Sequence, residues 1–342
     1  MLPLRLSLDA GALVANWRTL ARMSGRAPCG AAVKADGYGL GAVEVVRRLA
    51  AAGCADFFVA TWAEAAKLVP LGVSLSVLHG VRAEDMAEAL ASPARPVLST
   101  AAQVARWREA GGGVCDVMVD TGMNRLGVAV EEVATGLLDG LAIDTLMSHL
   151  ACADDDAAMN KRQRASFAAL AGRTAALRLS LANSAGIALG ADYAFDLTRP
   201  GLALYGGVPR AEFAGVVRQV ATPEAQILQR RRVAAGETVG YNATWLAAAD
   251  TEVAILNIGY ADGYCRGFSS HGRGYAGDVA LPVIGRVSMD LLALDVGAAP
   301  GLAEGDWVRL DYDLLAASLV MGMSQYELLT GLGSRFERHW TP

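Results

Sequence analysis

The sequence predicts an α/β protein: a (β/α)8 barrel followed by a mainly β C-terminal domain. The first observation is a run of eight apolar, strand-like segments that alternate with helix-like stretches. Eight such repeats are typical of a closed barrel of parallel strands. The second observation is a change of pattern after about Glu212, where short β-rich runs are punctuated by Gly and Pro at turn spacing. We therefore expect a barrel domain over residues 1–212 and a β domain over residues 213–342.

The individual elements follow from local patterns. The alternating segment from Leu2 to Leu8 predicts an edge strand, and Asp9 is expected to cap a helix that ends near Met23. The eight barrel strands are predicted to end near Lys34, Thr61, Gly80, Thr100, Gly122, Leu150, Ala185 and Gly201. The second domain is predicted to hold strands over 216–220, 225–233, 253–258, 281–287, 291–296 and 307–310, and a short helix within 314–332.

Bulk composition excludes several classes of function. The chain has 342 residues, of which 53% are hydrophobic, and a net charge of -5, which favours neither nucleic acid nor an anionic membrane as a partner. No apolar run reaches the roughly 18 residues that a membrane helix needs, and the N-terminus lacks the pattern of a signal peptide. The five cysteines are scattered without a C-x-x-C pair, so we expect no disulfide framework and no metal site. These features predict a cytoplasmic protein.

Chemically capable residues cluster where the predicted barrel strands end. They are Lys34, Asp120, Arg125, His149, Asn183, Ser184 and Arg199. Active sites of (β/α)8 barrels are built at this face, from the loops that follow several different strands. The fold and the chemistry are therefore expected to coincide there.

Lys34 is the most informative of these residues. It ends the apolar run Ala31–Val33 and is one of only three lysines among the 30 basic residues. A lysine amine forms a Schiff base with an aldehyde cofactor, usually pyridoxal phosphate, whereas an arginine stays protonated and cannot. One alternative is a solvated lysine at a strand end. Another is a dinucleotide site, since residues 37–42 fit G-x-G-x-x-G/A, but the next strand lacks the acidic residue at its end that such a site requires.

Other strand-end groups are suited to the rest of such a cofactor. Backbone N–H groups of Gly201 and Leu202, the Ser184 hydroxyl and the Tyr38 hydroxyl are candidate phosphate ligands, although Ser184 alone is equally consistent with a turn residue. Arg199 is a candidate partner of the pyridine nitrogen. Because arginine accepts no proton, it would leave that nitrogen unprotonated and weaken the electron sink. A strand-end salt bridge is the alternative for Arg199.

Several ordered motifs resemble the alanine racemase family of fold-type III pyridoxal phosphate enzymes. They cover nearly the whole chain, and as an ordered set they are highly specific. The motifs are Val33-Lys34-Ala35-Asp36-Gly37-Tyr38-Gly39, Val119-Asp120-Thr121-Gly122-Met123-Asn124-Arg125-Leu126-Gly127, Asn183-Ser184-Ala185, Arg199-Pro200-Gly201, Val239-Gly240-Tyr241, Gly259-Tyr260-Ala261-Asp262-Gly263, Gly285-Arg286-Val287-Ser288-Met289-Asp290 and Tyr326-Glu327.

The resemblance implies a barrel followed by a β domain in a head-to-tail homodimer that racemises alanine. Lys34 would be the Schiff-base lysine and one catalytic base, and Tyr241 the second base, delivered from the partner subunit. Two bases are needed because the proton leaves one face of a planar carbanion and returns to the other. By the same resemblance, Arg199, supported by His149, would contact the pyridine nitrogen. Arg125 and the Met289 backbone would bind the substrate carboxylate, and Tyr260 would form the gate at the site entrance. Further contacts to the cofactor would come from Tyr38, Asn183, Ser184, Gly201, Leu202 and Tyr326.

The chain departs from the family pattern at two places. Family members often carry a carbamylated lysine two residues before the aspartate of the Asp-Thr-Gly-Met motif, where this chain has Met118. Residues 242–244, after Tyr241, read Asn-Ala-Thr where a glycine is common. A thioether forms no carbamate, so Arg125 is expected to recruit a small anion, chloride, in its place; a hydrated Arg125 is the alternative.

Three other functions compete with alanine racemisation. The nearest is racemisation of another small amino acid, such as serine, on the same residues. A non-catalytic pyridoxal phosphate carrier would resemble the barrel alone, and the second domain with Tyr241 argues against it. A dinucleotide-dependent oxidoreductase is disfavoured by the missing acidic residue.

Overall fold

The structure is a computed structural model that describes residues 2–342. In chain order, the first elements are β1 (Leu4–Asp9), α1 (Ala10–Met23), β2 (Ala31–Ala32), α2 (Lys34–Tyr38), α3 (Ala42–Ala52), β3 (Asp56–Val59), α4 (Trp62–Leu68), β4 (Ser74–Val77), α5 (Met86–Ala91), β5 (Arg95–Leu98), α6 (Ala101–Glu109), β6 (Cys115–Asp120), β7 (Val128–Ala129), α7 (Val130–Ala134), β8 (Ile143–Met147), α8 (Ala158–Ala168), β9 (Arg178–Ser180) and α9 (Ser184–Ala188). They are followed by β10 (Ala221–Val233), β11 (Thr238–Val239), β12 (Trp245–Leu246), β13 (Thr251–Leu256), β14 (Arg273–Ala276), β15 (Val279–Ile284), β16 (Leu292–Asp295), β17 (Trp307–Leu310), α10 (Leu314–Met321), α11 (Gln325–Thr330) and β18 (Glu337–Thr341).

The chain divides into two compact units. One comprises Leu13–Arg218, and the other combines Met1–Ala12 with Gln219–Pro342. The first is α/β and the second is mainly β, as the sequence predicts. The N-terminal strand β1 departs from the prediction, because it belongs to the second unit. Its alternating burial gives it one apolar face, and it lies between β10 and β18 rather than at a sheet edge.

The α/β unit is built on a parallel sheet in the order β2-β3-β4-β5-β6-β8-β9, with β7 paired to β6. Its strands alternate with helices, which confirms the predicted alternation. The predicted eighth strand is reduced to a parallel bridge between Cys29 and Thr198. Around it, Gly30 N–H donates to Thr198 O (2.9 Å) and Arg199 N–H donates to Ala182 O (2.8 Å). Pro200 follows at once and has no N–H to donate, but its carbonyl accepts the Ala32 N–H (2.8 Å), so the pairing on the β2 side continues through acceptors.

Two strands end earlier than predicted because a side chain captures the backbone. The Asp120 carboxylate accepts the Gly122 N–H (2.7 Å) and terminates β6 before the predicted end at Gly122. The Asn183 side chain accepts the Gly186 N–H (2.8 Å) and starts α9, which replaces the predicted strand end at Ala185. At both places a turn or a helix stands where a strand end was predicted, and both places lie at the face where the candidate residues are.

The mainly β unit is an antiparallel sheet in the order β13-β16-β15-β14-β17-β10-β1-β18, in which only β1 and β18 pair in parallel. Strand β10 also pairs with β13, after a register shift between Ile227 and Gln229, so the sheet curls back on itself. The strand predicted over 216–220 is instead irregular chain before β10. The helix predicted within 314–332 is present as α10 and α11. Among residues 2–342, no helix is both long enough and apolar enough to cross a membrane.

A buried ion pair lies at the amino ends of the parallel strands. Asp116 is 0% exposed, and it accepts hydrogen bonds from Ser76 Oγ (2.6 Å), the Thr145 N–H (3.0 Å) and Arg95 Nε (3.3 Å). Burial raises the pKa of this carboxyl despite the opposing effect of Arg95. Removing one partner of a buried pair leaves an uncompensated charge and is costly.

We therefore expect Arg95→Leu to lower the free energy of unfolding by about 3 kcal/mol, measured by urea unfolding. The matched control is Arg82→Leu, which removes an exposed arginine paired with Asp85 at 2.6 Å and should change stability little. Equal effects of the two substitutions would contradict the stabilising role of this ion pair.

Candidate active site

Lys34 stands at the start of an unusual backbone turn. Residues Ala35–Tyr38 all have positive φ, between 53° and 65°, which forms a left-handed turn directly after β2. For residues other than glycine, this conformation costs about 1–2 kcal/mol each. The surrounding structure therefore has to hold it: the Asp36 carboxylate accepts the Ala42 N–H (3.0 Å), and the Glu64 carboxylate accepts the Ala35 N–H (2.7 Å).

The Lys34 amine is poised toward its neutral form. Its side chain is solvent-accessible, yet partial burial of the ammonium lowers its pKa, and the positive charge of Arg125 lowers it further. The Glu64 carboxylate opposes both effects. Because only a neutral amine attacks a carbonyl or accepts a proton, a lowered pKa makes this lysine a better nucleophile and base at neutral pH.

A compact polar corner lies beside this turn. Ser184 Oγ, at the start of α9, accepts the N–H groups of Gly201 (2.9 Å) and Ala203 (3.2 Å). A Cβ on Gly201 would collide with the Tyr38 hydroxyl, so only glycine fits there. The Tyr38 ring stacks on Tyr205 with centroids 4.6 Å apart. Two hydroxyls and two backbone N–H groups thus converge, as such groups do in sites that hold a phosphate.

The site also contains a buried arginine, Arg199. Arg199 is 7% exposed and donates to Ser148 O (2.6 Å) and to Ser180 Oγ. Within residues 2–342 no carboxylate forms an ion pair with it, so the alternative of a strand-end salt bridge is excluded there. Burial lowers the pKa of Arg199 to about 10, so it stays charged at neutral pH.

His149 is held neutral by its surroundings. Burial is the largest cause, and the positive charges of Arg199, Arg125 and Lys34 add to it, which together lower the pKa of His149 to about 3. The imidazole can therefore accept one hydrogen bond and donate another, but it carries no charge near neutral pH. Three cations around a neutral histidine favour an anionic ligand.

Arg125 is carried by the loop after β6. The Asp120 carboxylate accepts the N–H groups of Gly122 and Arg125 (3.0 Å). Burial opposes its charge, but backbone N–H donors outweigh burial and keep the pKa of Asp120 below its usual range. The Arg125 side chain is exposed, and no partner for its guanidinium is found in residues 2–342. Met118 is buried in β6, in register with Met147 of β8.

The mainly β unit carries its own set of exposed candidates. Tyr241 lies in a 3-10 turn with its side chain 66% exposed, Met289 is 54% exposed and Tyr260 is 39% exposed. The loops of Tyr260 and Met289 are joined, because Ala261 N–H donates to Met289 O (3.0 Å). Tyr241 and Arg286 line a cavity of about 830 Å³. Tyr326 is the second residue of α11, whose N-cap is Ser324.

The structure brings together the nine candidates of the α/β unit. Direct contacts or charge interactions link Lys34, Tyr38, Arg125, His149, Ser184, Arg199 and Gly201, with Asn183 and Leu202 adjacent in the chain. Sequence reasoning missed Glu64, Tyr205 and Ser180. For Glu64 a signal was available: the Thr61-x-x-Glu64 spacing of a capping box. No group of three or more metal-ligating side chains occurs in the described part of the chain.

Comparison with known proteins decides the family. The family model "Alanine racemase, N-terminal domain" matches residues 8–209, and "Alanine racemase, C-terminal domain" matches residues 220–340. The chain belongs to the alanine racemase family. Its relatives include an alanine racemase of Acidiphilium cryptum, 44% identical over 97% of both chains. Another, from Methylobacterium nodulans, is 42% identical over 98% of this chain and 95% of its own.

Solved structures of the family agree with this fold. The crystal structure of an alanine racemase from Bartonella henselae, described as holding covalently bound pyridoxal phosphate, superposes with a TM-score of 0.89. It is 33% identical and covers 99% of each chain. The family relationship therefore draws attention to Lys34, the one lysine at a strand end of the α/β unit.

Proposed function

We propose that this chain is a pyridoxal 5'-phosphate-dependent racemase that interconverts L-alanine and D-alanine. Relatives named alanine racemase align along nearly its full length. The observation that supports the proposal is the Lys34 amine: its pKa is lowered, and it begins the turn whose Tyr38 lies against Gly201 in the Ser184–Gly201 corner.

The residues present fit the cofactor. Lys34 would hold it covalently; Tyr38, Ser184, Gly201, Leu202 and Tyr326 would hold its phosphate; Arg199, supported by His149, would meet the pyridine nitrogen, with Asn183 nearby. The corner that a Cβ on Gly201 would fill and the three surrounding cations suit an anionic group. When bound, pyridoxal phosphate stabilises the negative charge that develops at the substrate α-carbon.

The chain's own residues supply the proton transfers. Racemisation requires one group to remove the α-proton and another to return a proton to the opposite face. We assign these roles to the Lys34 amine and the Tyr241 phenol. Arg125 and the Met289 backbone N–H would hold the substrate carboxylate, and Tyr260 would gate the entrance. The 66% exposure of Tyr241 supports its delivery into a second copy of the chain, in a head-to-tail homodimer.

The same proposal covers the fold and location. Backbone hydrogen bonds of residues 198–200 to both the β2 and the β9 side of the parallel sheet support a closed (β/α)8 barrel. Residues 1–212 would then bind the cofactor, with β1 structurally part of the other unit, and residues 213–342 would carry the second base. Five free cysteines are in keeping with a reducing, cytoplasmic compartment.

A screen of amino acids tests this function. Purified protein with added pyridoxal phosphate is incubated with each L-amino acid, and D-product is measured by chiral chromatography. D-alanine should form fastest. Faster formation of D-serine would support a racemase of another small amino acid, and no D-product from any substrate would overturn the proposal in favour of a cofactor carrier.

We further propose that a chloride ion takes the place of the carbamate beside Arg125. Met118 cannot form a carbamate, and the guanidinium of Arg125 makes no ion pair within residues 2–342. Activity is therefore expected to be insensitive to removal of carbon dioxide but to fall when chloride is replaced by a bulky, weakly binding anion. The measurement is initial rate against chloride concentration at constant ionic strength.

The matched variant for this test is Met118→Lys. It should restore carbamate formation, so its rate should depend on carbon dioxide and lose the dependence on chloride. Unchanged kinetics of the wild-type enzyme across halide-free buffers, with no anion density beside Arg125 in a crystal structure, would contradict the chloride proposal.

A further inference from the structure

One carboxylate supports the Lys34 turn from a neighbouring strand end. Glu64, in the first turn of α4, uses one oxygen, Oε1, to accept the Ala35 N–H at 2.7 Å. Its other oxygen, Oε2, accepts the N–H groups of Ala60 (2.7 Å) and Thr61 (3.3 Å). Ala35 is the first left-handed residue after Lys34, so this bridge ties the turn to the beginning of α4.

An equivalent bridge two strands further on shows why this residue is an acid. Gln103 occupies the same position in α6, after the N-cap Thr100. Its amide oxygen accepts the Ser99 N–H (2.8 Å), and its amide nitrogen donates to His79 O (3.2 Å) on the preceding strand end. There the facing group is a carbonyl, so an amide suffices. At the Lys34 turn the facing group is an N–H, so both oxygens must accept, and only a carboxylate offers that.

The left-handed turn is what creates this requirement. The backbone of Ala35–Tyr38 points the Ala35 N–H away from the local helix pattern and toward Glu64. The bridge thereby offsets part of the conformational cost of the turn. Glu64 also carries a negative charge that acts on the Lys34 amine, at the one strand end where a lysine stands.

We propose that Glu64 is a positioning residue for Lys34: its carboxylate fixes the left-handed turn that carries the amine and supplies a negative charge that acts on it. The catalytic role of Lys34 in this inference rests on the proposed function. The hydrogen-bonded bridge from Glu64 to the turn does not depend on that function. Glu64 touches neither substrate nor cofactor in this account and acts only through Lys34.

The charges around Lys34 give the proposal a measurable sign. Burial and the Arg125 guanidinium lower the pKa of Lys34, and Glu64 raises it. His149 is neutral near pH 7, and Asp36 is engaged with the Ala42 N–H. Removing the charge of Glu64 should therefore lower the pKa of Lys34 further and raise the fraction of neutral amine at a given pH.

The test is carried out on the full chain freed of cofactor, with Glu64→Gln, Glu64→Ala and the control Gln103→Ala. The pH dependence of lysine acylation by acetic anhydride is followed by peptide mass spectrometry, with Lys161 as the internal reference because it lies on a different helix from Glu64. Glu64→Gln should shift the Lys34 titration to lower pH. Gln103→Ala, which removes the equivalent bridge elsewhere, should not move the Lys34 titration.

Two further readouts complete the test. Amide hydrogen exchange of peptide 30–41 should speed up in Glu64→Ala but not in Gln103→Ala. With cofactor added, Glu64→Ala should lose up to about 100-fold in kcat, the effect of misaligning a reacting group by about 1 Å, at similar KM. An unshifted Lys34 titration and unchanged exchange in both Glu64 variants would overturn the inference. Absence of racemisation in the wild-type chain would instead overturn the proposed function, because the titration does not depend on activity.

Discussion

Replacing Lys34 with alanine is expected to abolish racemisation, with a loss of at least about 10⁴-fold in kcat. The substitution removes both the amine that would hold the cofactor and one of the two bases. The Lys34 side chain is exposed, and the bridge from the Ala35 N–H to Glu64 does not involve it, so the fold should persist. The measurement is D-alanine formation, together with circular dichroism to confirm folding.

The controls for Lys34 are the two other lysines. Lys67→Ala and Lys161→Ala, on α4 and α8, should keep wild-type activity because both lie on exposed helix positions. Borohydride reduction of the cofactor-loaded protein, followed by peptide mapping, should place the pyridoxyl group on Lys34. A label on Lys67 or Lys161 would contradict the assignment.

Tyr241→Phe is expected to produce the second-largest effect, a loss of about 10²–10⁴-fold in racemisation rate. It removes one hydroxyl from a side chain that is 66% exposed, so stability should be unaffected. Tyr275→Phe, on β14 of the same unit, is the control and should retain activity. Wild-type rates for Tyr241→Phe would exclude it as a base.

Mixing two inactive variants tests whether the site is shared. If Tyr241 acts in the partner's site, a heterodimer of Lys34→Ala and Tyr241→Phe chains has one intact site and one doubly altered site. Random exchange of equal amounts should then restore about a quarter of wild-type activity, since half the dimers are mixed and each has one working site. If both bases came from one chain, mixing would restore nothing.

The sequence predicted which candidate residues lie together better than it predicted the sheets. Residues at the carboxyl ends of parallel strands share one edge whatever the exact strand length, so Lys34, Arg125, His149 and Arg199 could be grouped from the sequence. Errors in the ends of β6 and β9 did not matter, because the side chains of Asp120 and Asn183 that cut those strands short lie at the same face.

Long-range pairing could not be predicted from local pattern. The alternation in β1 shows one buried face but not which sheet receives it, and its partners β10 and β18 lie more than 200 residues away in the sequence. The left-handed turn after Lys34 was also hidden, because residues other than glycine seldom have positive φ, and here Ala35, Asp36 and Tyr38 all do. The turn is supported by Glu64. This role could not be predicted from the sequence, because it depends on whether a backbone N–H or a backbone C=O faces the side chain.

If Lys34 and Tyr241 serve opposite faces of one substrate, Tyr241→Phe should affect α-hydrogen exchange with solvent deuterium differently for the two enantiomers of alanine. Exchange from L-alanine and from D-alanine is measured by mass spectrometry at early times, with the wild-type enzyme and with Tyr241→Phe. Tyr241→Phe should suppress exchange from one enantiomer by about 10²-fold or more, while Lys34 sustains exchange from the other. Equal exchange from both enantiomers at the wild-type rate would rule out opposite-face roles for Lys34 and Tyr241.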